Sequence, residues 1–263
     1  MKALGNPFST LGANGFLNKT QIEELKKVYS GNLRALLSQL LKGGPPSFLY
    51  SSPSILLSLE GLASTLLPLG LGYSLAMAFS IAWLIFIGPK VPKAIRSASF
   101  IPEFIYAIPL ALTSWSFGWP PPLLGTSFQK ALAYSLVILL GEWPKLVYGF
   151  SGLVEDQRGV LRDTTLLLKA IGLSDFKIRV KELRVLLPSL TSFSITNFVN
   201  ALERSVFVEP LISYMGIGYL LFSAVTGGDP PLASSAFLII ATLSYLGSYL
   251  ADELARRLDP RTR

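Results

Sequence analysis

Apolar residues run almost without interruption from Ile55 to Gly88, where Glu60 is the only side chain expected to be charged at neutral pH. At about 1.5 Å of rise per residue, a helix over this run exceeds a hydrocarbon core of about 30 Å. One long tilted span is predicted, with Pro68, Gly70 and Gly72 allowing a bend. Further apolar stretches run from about Phe100 to Phe117, ending at Gly118-Trp119-Pro120-Pro121-Pro122, from about Phe128 to Phe150, from Pro188 to about Val208, and from about Leu232 to Leu250. The pattern therefore predicts an all-α polytopic membrane protein with five spans.

The polar part comes first. Residues 1–50 open a helix at Thr20-Gln21-Ile22-Glu23, where Thr20 can cap the amides while Glu23 reaches back. Ile22, Leu25, Leu33, Leu36, Leu37, Leu40 and Leu41 then recur at mostly helical spacing until Gly43-Gly44-Pro45-Pro46 ends the pattern. This predicts an amphipathic segment lying on the membrane surface, followed by a transmembrane domain over 51–263 with a long connecting loop at about 154–187.

Composition sharpens the reading. Of 263 residues 51% are apolar and only 15% charged, and there is no Cys and no His. Disulfides, thiolates and imidazole ligands are excluded, so no metal site is expected and most acid–base catalysis near neutral pH is removed. A net charge of +7 does not imply nucleic acid, because Lys and Arg sit in short connecting segments with no basic stripe interleaved with aromatics. No Gly-x-x-x-x-Gly-Lys-Ser/Thr loop is present to cradle nucleotide phosphates. Met1 to Lys19 lacks the basic and apolar regions of a signal peptide.

Where the cations lie predicts orientation. Lys90, Lys93 and Arg96 follow the first span; Lys145, Arg158, Arg162, Lys169, Lys177, Arg179, Lys181 and Arg184 cluster after the third; Arg256, Arg257, Arg261 and Arg263 close the chain. These three segments are expected on the cytoplasmic side. The loop after the second span holds only Lys130 and the segment from Glu209 to Pro231 holds no Lys or Arg, so both are expected outside. Five spans then place residues 1–50 outside and the C-terminus in the cytoplasm, although the first segment carries six Lys and Arg residues.

Two segments carry candidate chemistry. Between Val154 and Leu187, Asp163-Thr-Thr-Leu-Leu-Leu-Lys-Ala-Ile-Gly172-Leu-Ser-Asp175 reads as two short helices joined at a glycine. Gly172 suits a helix C-cap with positive φ, and Ser174 or Asp175 suits the N-cap of a second helix from Phe176 to Leu187. That helix places Lys177, Lys181 and Arg184 on one stripe, ahead of Pro188. The hairpin is either a tether between spans or a docking element for a soluble partner. Within the fourth span, Thr196, Asn200 and Glu203 share a stripe with Asn197 and Arg204 beside it. Polar groups at that depth are costly against lipid and are expected to face a pathway or another subunit. Glu60 and Glu142 pose the same question, with Glu142 expected near the cytoplasmic interface. Trp83, Trp115, Trp119 and Trp143 near span ends are expected as interfacial anchors.

Ala170, Gly172, Leu173 and Ser174, with Asp163 upstream, resemble the cytoplasmic coupling loop of binding-protein-dependent ABC importer permeases. The similarity is to the first of the two permeases of dipeptide, oligopeptide and nickel systems. Glu209-Pro-Leu-Ile-Ser213-Tyr-Met-Gly216-Ile-Gly218, followed by Asp229 and Pro231, is similar to an extracytoplasmic motif of that family. Leu258-Asp259-Pro260-Arg261 resembles its tail, and Gly5-Asn6-Pro7-Phe8 resembles the segment that follows its first transmembrane helix.

The resemblance implies a non-catalytic translocation subunit paired with a second permease. Two cytoplasmic ATPases would bind ATP and Mg, and an external binding protein would deliver a peptide, nickel chelate or oligosaccharide. No cofactor is implied for this chain. The loop residues Asp163, Leu166, Leu167, Ala170, Ile171, Gly172, Leu173, Ser174 and Asp175 would face the ATPase. Leu166, Leu167 and Leu168 stand where the family usually has Glu-Ala-Ala, so this docking face is more apolar. A secondary transporter using the polar residues of the fourth span predicts internal inverted repeats, and none is visible. A membrane-embedded enzyme predicts a cluster of acids or other catalytic groups, for which Glu203 is the only candidate with polar neighbours.

Overall fold

The computed structural model describes residues 43–117, 125–157 and 165–258 together with Glu23. The amphipathic segment expected from Ile22 to Leu41, the Pro120 to Pro122 run, Asp163 and the tail from Asp259 lie outside the described residues, apart from Glu23. Seven helices of the described residues carry the argument: α1 (Ser54–Phe86), α2 (Lys93–Ala98), α3 (Glu103–Phe117), α4 (Ser127–Asp156), α5 (Asp175–Leu211), α6 (Ile217–Thr226) and α7 (Pro230–Leu258). A short helical stretch at 165–170 precedes α5.

Four of these, α1, α4, α5 and α7, are long and apolar enough to cross a membrane. The expected second span corresponds to α3, whose 15 described residues reach about 22 Å at 1.5 Å per residue. The expectation of a separate helix ending before Pro188 is corrected, because α5 runs unbroken for 37 residues with Pro188 inside it. A proline removes one amide and crowds the preceding turn, yet apolar helices tolerate it where neighbours absorb the cost.

The same device is visible in α1. Pro68 has no amide to offer Ser64, and the Tyr214 hydroxyl donates to that Ser64 carbonyl at 2.7 Å. α4 starts where Thr126 and Gln129 form a reciprocal capping box, so its first turn is fixed by local sequence.

α1 packs along α4, while α5 packs on α7 and α6. Leu69, Tyr134, Ile138, Leu146, Phe150 and Leu186 fill the seam between them. Tyr73 ties α1 to α5 by donating to the Ser194 carbonyl at 2.6 Å. Large apolar side chains such as Leu67, Phe79, Phe237, Leu238 and Tyr245 instead point outward. A soluble protein rarely exposes so continuous a surface, and here it matches the lipid environment implied by the long helices. Trp83 and Trp143, expected as interfacial anchors, meet edge to face, with ring centroids 6.1 Å apart.

Candidate functional site

At one end of the bundle the 165–170 stretch turns into α5 through Gly172. Gly172 has φ +80°. Its amide donates to the Lys169 carbonyl at 2.9 Å and the Leu173 amide donates to the Leu168 carbonyl at 3.1 Å, the paired bonds of a Schellman stop. Ser174 then occupies the N-cap of α5 in extended geometry, as expected, but makes no side-chain capping bond. The Thr165 hydroxyl donates to Glu182 at 2.6 Å, pinning the hairpin's two arms.

Leu168 and Ile178 are buried beneath the turn, whereas Leu166, Leu167 and Ile171 are 56, 65 and 66% exposed. Ala170, Gly172, Ser174 and Asp175 are exposed and Leu173 is half-buried. The structure thus gathers the loop residues into one knuckle whose outer face is greasy, with a loose Lys169–Asp175 ion pair of 3.7 Å at its side. Asp163 lies outside the described residues.

The polar residues of α5 separate into two groups. Thr196 lines a cavity of about 540 Å³ with Ser189, Ser192, Phe193 and Arg256, between α5 and the ends of α4 and α7. Asn197 donates to the Phe193 carbonyl at 2.9 Å, Asn200 is half-buried, and Glu203 is exposed. Arg204, beside that stripe, turns to a different set of partners. Its Nη2 donates to Glu142 Oε1 at 2.9 Å, and its Nε lies 2.9 Å from Glu103 Oε1. Lys145 bridges the same two acids, contacting Glu103 closely and Glu142 at 3.3 Å.

Two carboxylates with zero side-chain exposure, from α3 and α4, therefore meet two cations from α4 and α5. The group is charge-balanced, as burial in an apolar bundle demands. Oε2 of Glu103 and of Glu142 are buried with no hydrogen-bond donor among the described residues. Glu142 lies midway along α4 and is fully buried within the bundle. Glu103 was missed in the sequence, and the placement of Lys145 among the loop cations after the third span is corrected: it lies inside α4 and pairs with both buried acids. The available signal was the excess of Glu142 and Arg204 as lone opposite charges in apolar helices, with Lys145 three residues after Glu142 and Glu103 opening α3.

At the other end, Glu209 is a buried cap rather than a ligand on display. The Thr65 hydroxyl donates to its Oε1 at 2.6 Å and the Tyr219 amide donates to its Oε2 at 2.9 Å. Thr65 in turn accepts the Ile217 amide at 2.9 Å. The N-cap of α6 is Gly216, which has no side chain to offer, so Glu209 and Thr65 satisfy the first amides from outside the helix. A Cβ on Gly216 would lie 2.2 Å from Thr65 Oγ1 and 2.5 Å from both Glu209 oxygens, and one on Gly218 would lie 2.5 Å from the Ser205 carbonyl carbon. The Glu…Gly-x-Gly spacing is thus a packing requirement.

Ser213 has φ +51° and stands in a second Schellman stop, its amide donating to the Pro210 carbonyl and the Tyr214 amide to the Glu209 carbonyl. Asp229 completes this end. Its carboxylate accepts the Leu232 amide at the start of α7, the Ser47 hydroxyl at 2.5 Å and the Leu49 amide at 3.1 Å.

With this geometry in view, comparison with known proteins is specific. The model of the family "Binding-protein-dependent transport system inner membrane component" matches residues 47–263. A curated relative, the di/tripeptide transport system permease protein DppB of Pseudomonas aeruginosa (strain UCBPP-PA14), is 35% identical over 97 residues. That match covers 36% of this chain and 29% of the relative.

Proposed function

This chain belongs to the binding-protein-dependent inner membrane components, the permease subunits of ABC importers, and from that premise we propose that it is the translocation subunit of an ATP-driven importer of peptides or related small solutes. The observation that carries the reading is the knuckle around Gly172. Leu166, Leu167 and Ile171 project from the turn that leads into a span-length helix. Burying such side chains in the groove of a soluble ATPase removes apolar surface from water, worth roughly 25 cal/mol per Å² before the costs of association.

Closure of two ATPases around ATP supplies the free energy that separates inward and outward states; this chain contributes the knuckle and the helices that move with it. A second permease and an external binding protein complete the assembly. The α5 cavity with Ser189, Ser192 and Thr196 supports a solute path on that side of the bundle, since hydroxyls there hydrate a small polar solute. The DppB likeness supports peptides as the solute class.

Orientation follows the cations: the knuckle and the α7 end face the cytoplasm of a plasma-membrane protein, and residues 1–50 with the α6–α7 turn face outward. Because the chain has no cysteine, a Thr226→Cys variant gives a single target. Modification by an impermeant thiol reagent in intact cells is expected; modification only after permeabilisation reverses the orientation.

Gly172→Val tests the knuckle. A Cβ at Gly172 meets nothing within 4 Å, so the substitution acts through the left-handed backbone alone, at a local cost of about 1–2 kcal/mol. Membrane insertion is expected to survive while ATPase co-purification weakens and uptake stops. Lys177→Gln, at an exposed site beside the knuckle, is the control and leaves both unchanged. Retention of the complex and of uptake in Gly172→Val defeats the coupling role.

A further inference from the structure

α5 carries four cations in its first ten residues, and three of them, Lys177, Lys181 and Arg184, are exposed. Arg179 lies on the opposite face, since two residues turn a helix by about 200°. It is half-buried, and its Nη1 donates at 3.0 Å to the Ile85 carbonyl and at 3.0 Å to the Phe86 carbonyl. Those are carbonyls of the last turn of α1, which have no further helical amides to accept.

No basic residue of α1 itself occupies that last turn, so the cation that complements the helix's negative end comes from the hairpin. Contact is reinforced on both sides. Phe86 and Phe176 meet with ring centroids 5.9 Å apart, and the Gly88 position leaves the guanidinium 3.4 Å from where a Cβ would stand.

We infer that Arg179 is a positioning residue that fastens the knuckle to the cytoplasm-facing end of α1, so that displacement of the knuckle is passed to α1 and not only along α5. This rests on the coupling reading and deepens it. α5 is bonded covalently to the knuckle, and any push on the knuckle reaches it directly. α1 is joined to α5's start only through side chains, and among the described residues Arg179 supplies the hydrogen bonds there. α1 is also the helix that reaches Glu209 through Thr65 and α4 along its length, so a fastened α1 carries the motion to the far end.

Arginine suits the task because its fork reaches two carbonyls from one nitrogen while remaining charged throughout the physiological range. The alternative is a passive cap that stabilises α1 without tying its motion to the knuckle.

The experiment uses the assembled importer with cysteine-free partner subunits, spin labels on Ile87→Cys and Ile171→Cys, and pulsed electron resonance in two states: nucleotide-free and trapped with ADP and vanadate. With Arg179 present the label-to-label distance is expected to be the same in both states. In Arg179→Met it is expected to shift between them, and Arg179→Lys is expected to suppress that shift. A state-dependent distance with Arg179 present overturns the inference without any need for the variant to assemble. So does an unshifted distance in an assembled Arg179→Met complex. Cross-linking from Ile171→Cys to the ATPase subunit, by a thiol-directed photo-reactive reagent, is measured on parallel unlabelled samples of the same assemblies. Its absence overturns the coupling reading itself, whereas its presence with a failed distance test removes only the role of Arg179.

Discussion

Two buried acidic sites in this bundle solve one problem in opposite ways. Glu209 is met by a hydroxyl and a backbone amide at a helix start, and each of its oxygens has a donor. Glu103 and Glu142 are met by whole counter-charges, Lys145 and Arg204, and each keeps an oxygen without a donor among the described residues. A cap made of helix amides is fixed by the backbone that carries it. An ion-pair cluster made of long side chains from three helices is held only while those helices keep their spacing. The first site reads as a joint and the second as a contact able to rearrange, and Arg204, with 31% of its side chain exposed, is the member with room to move.

The comparison breaks most sharply at Arg204. Arg204→Met leaves two buried carboxylates to one lysine, and removing one partner of a buried ionic group costs about 3–5 kcal/mol. Thermal unfolding in detergent is expected to show that loss. Replacing Glu103, Glu142, Lys145 and Arg204 together with Leu or Met removes the desolvation cost as well as the attraction, and is expected to restore most of the stability. If the fourfold variant is as unstable as Arg204→Met, the cluster does more than neutralise itself, and its description as a rearrangeable contact fails.

The same contrast explains what was legible in the sequence. Gly172 and Ser174 stood where turn chemistry puts them, because a Schellman stop and an N-cap are decided within a few residues. Four of the five apolar runs became span-length helices for the same local reason. Arg204 was legible as a costly charge but not its partners, since Glu142 lies 62 residues away and Glu103 is brought to Lys145 across 42. Pro188 misled because an interior proline normally ends a helix, and here α5 continues through it. Ser213 belonged to a recognised motif, yet its role is a backbone turn in a left-handed conformation that its residue type gives little reason to expect. Arg179 was counted among the cytoplasmic cations, and only the packing of α5 on α1 shows that it points inward.

Glu209 sharpens the comparison with smaller effects. Glu209→Ala strips the acceptor from the half-buried Tyr219 amide and leaves the Thr65 hydroxyl only the Gly61 carbonyl at 3.1 Å, and hydrogen bonds to a charged group are worth about 1.5–3 kcal/mol. Because α6 depends on this cap for its first turn, the loss is expected to appear locally, as faster hydrogen exchange at Tyr219 and its helical neighbours. Glu209→Gln keeps the shape and one carbonyl acceptor. Its expected cost is about 1 kcal/mol, with exchange at Tyr219 only modestly faster, since the amide can still be met while the favourable charge at the helix start is gone. Arg204→Met, by contrast, is expected to leave the protection of Tyr219 relative to the global unfolding limit unchanged. If Glu209→Gln proves as costly as Glu209→Ala, the negative charge itself holds α6 in place. The two acidic sites would then differ in partner but not in kind.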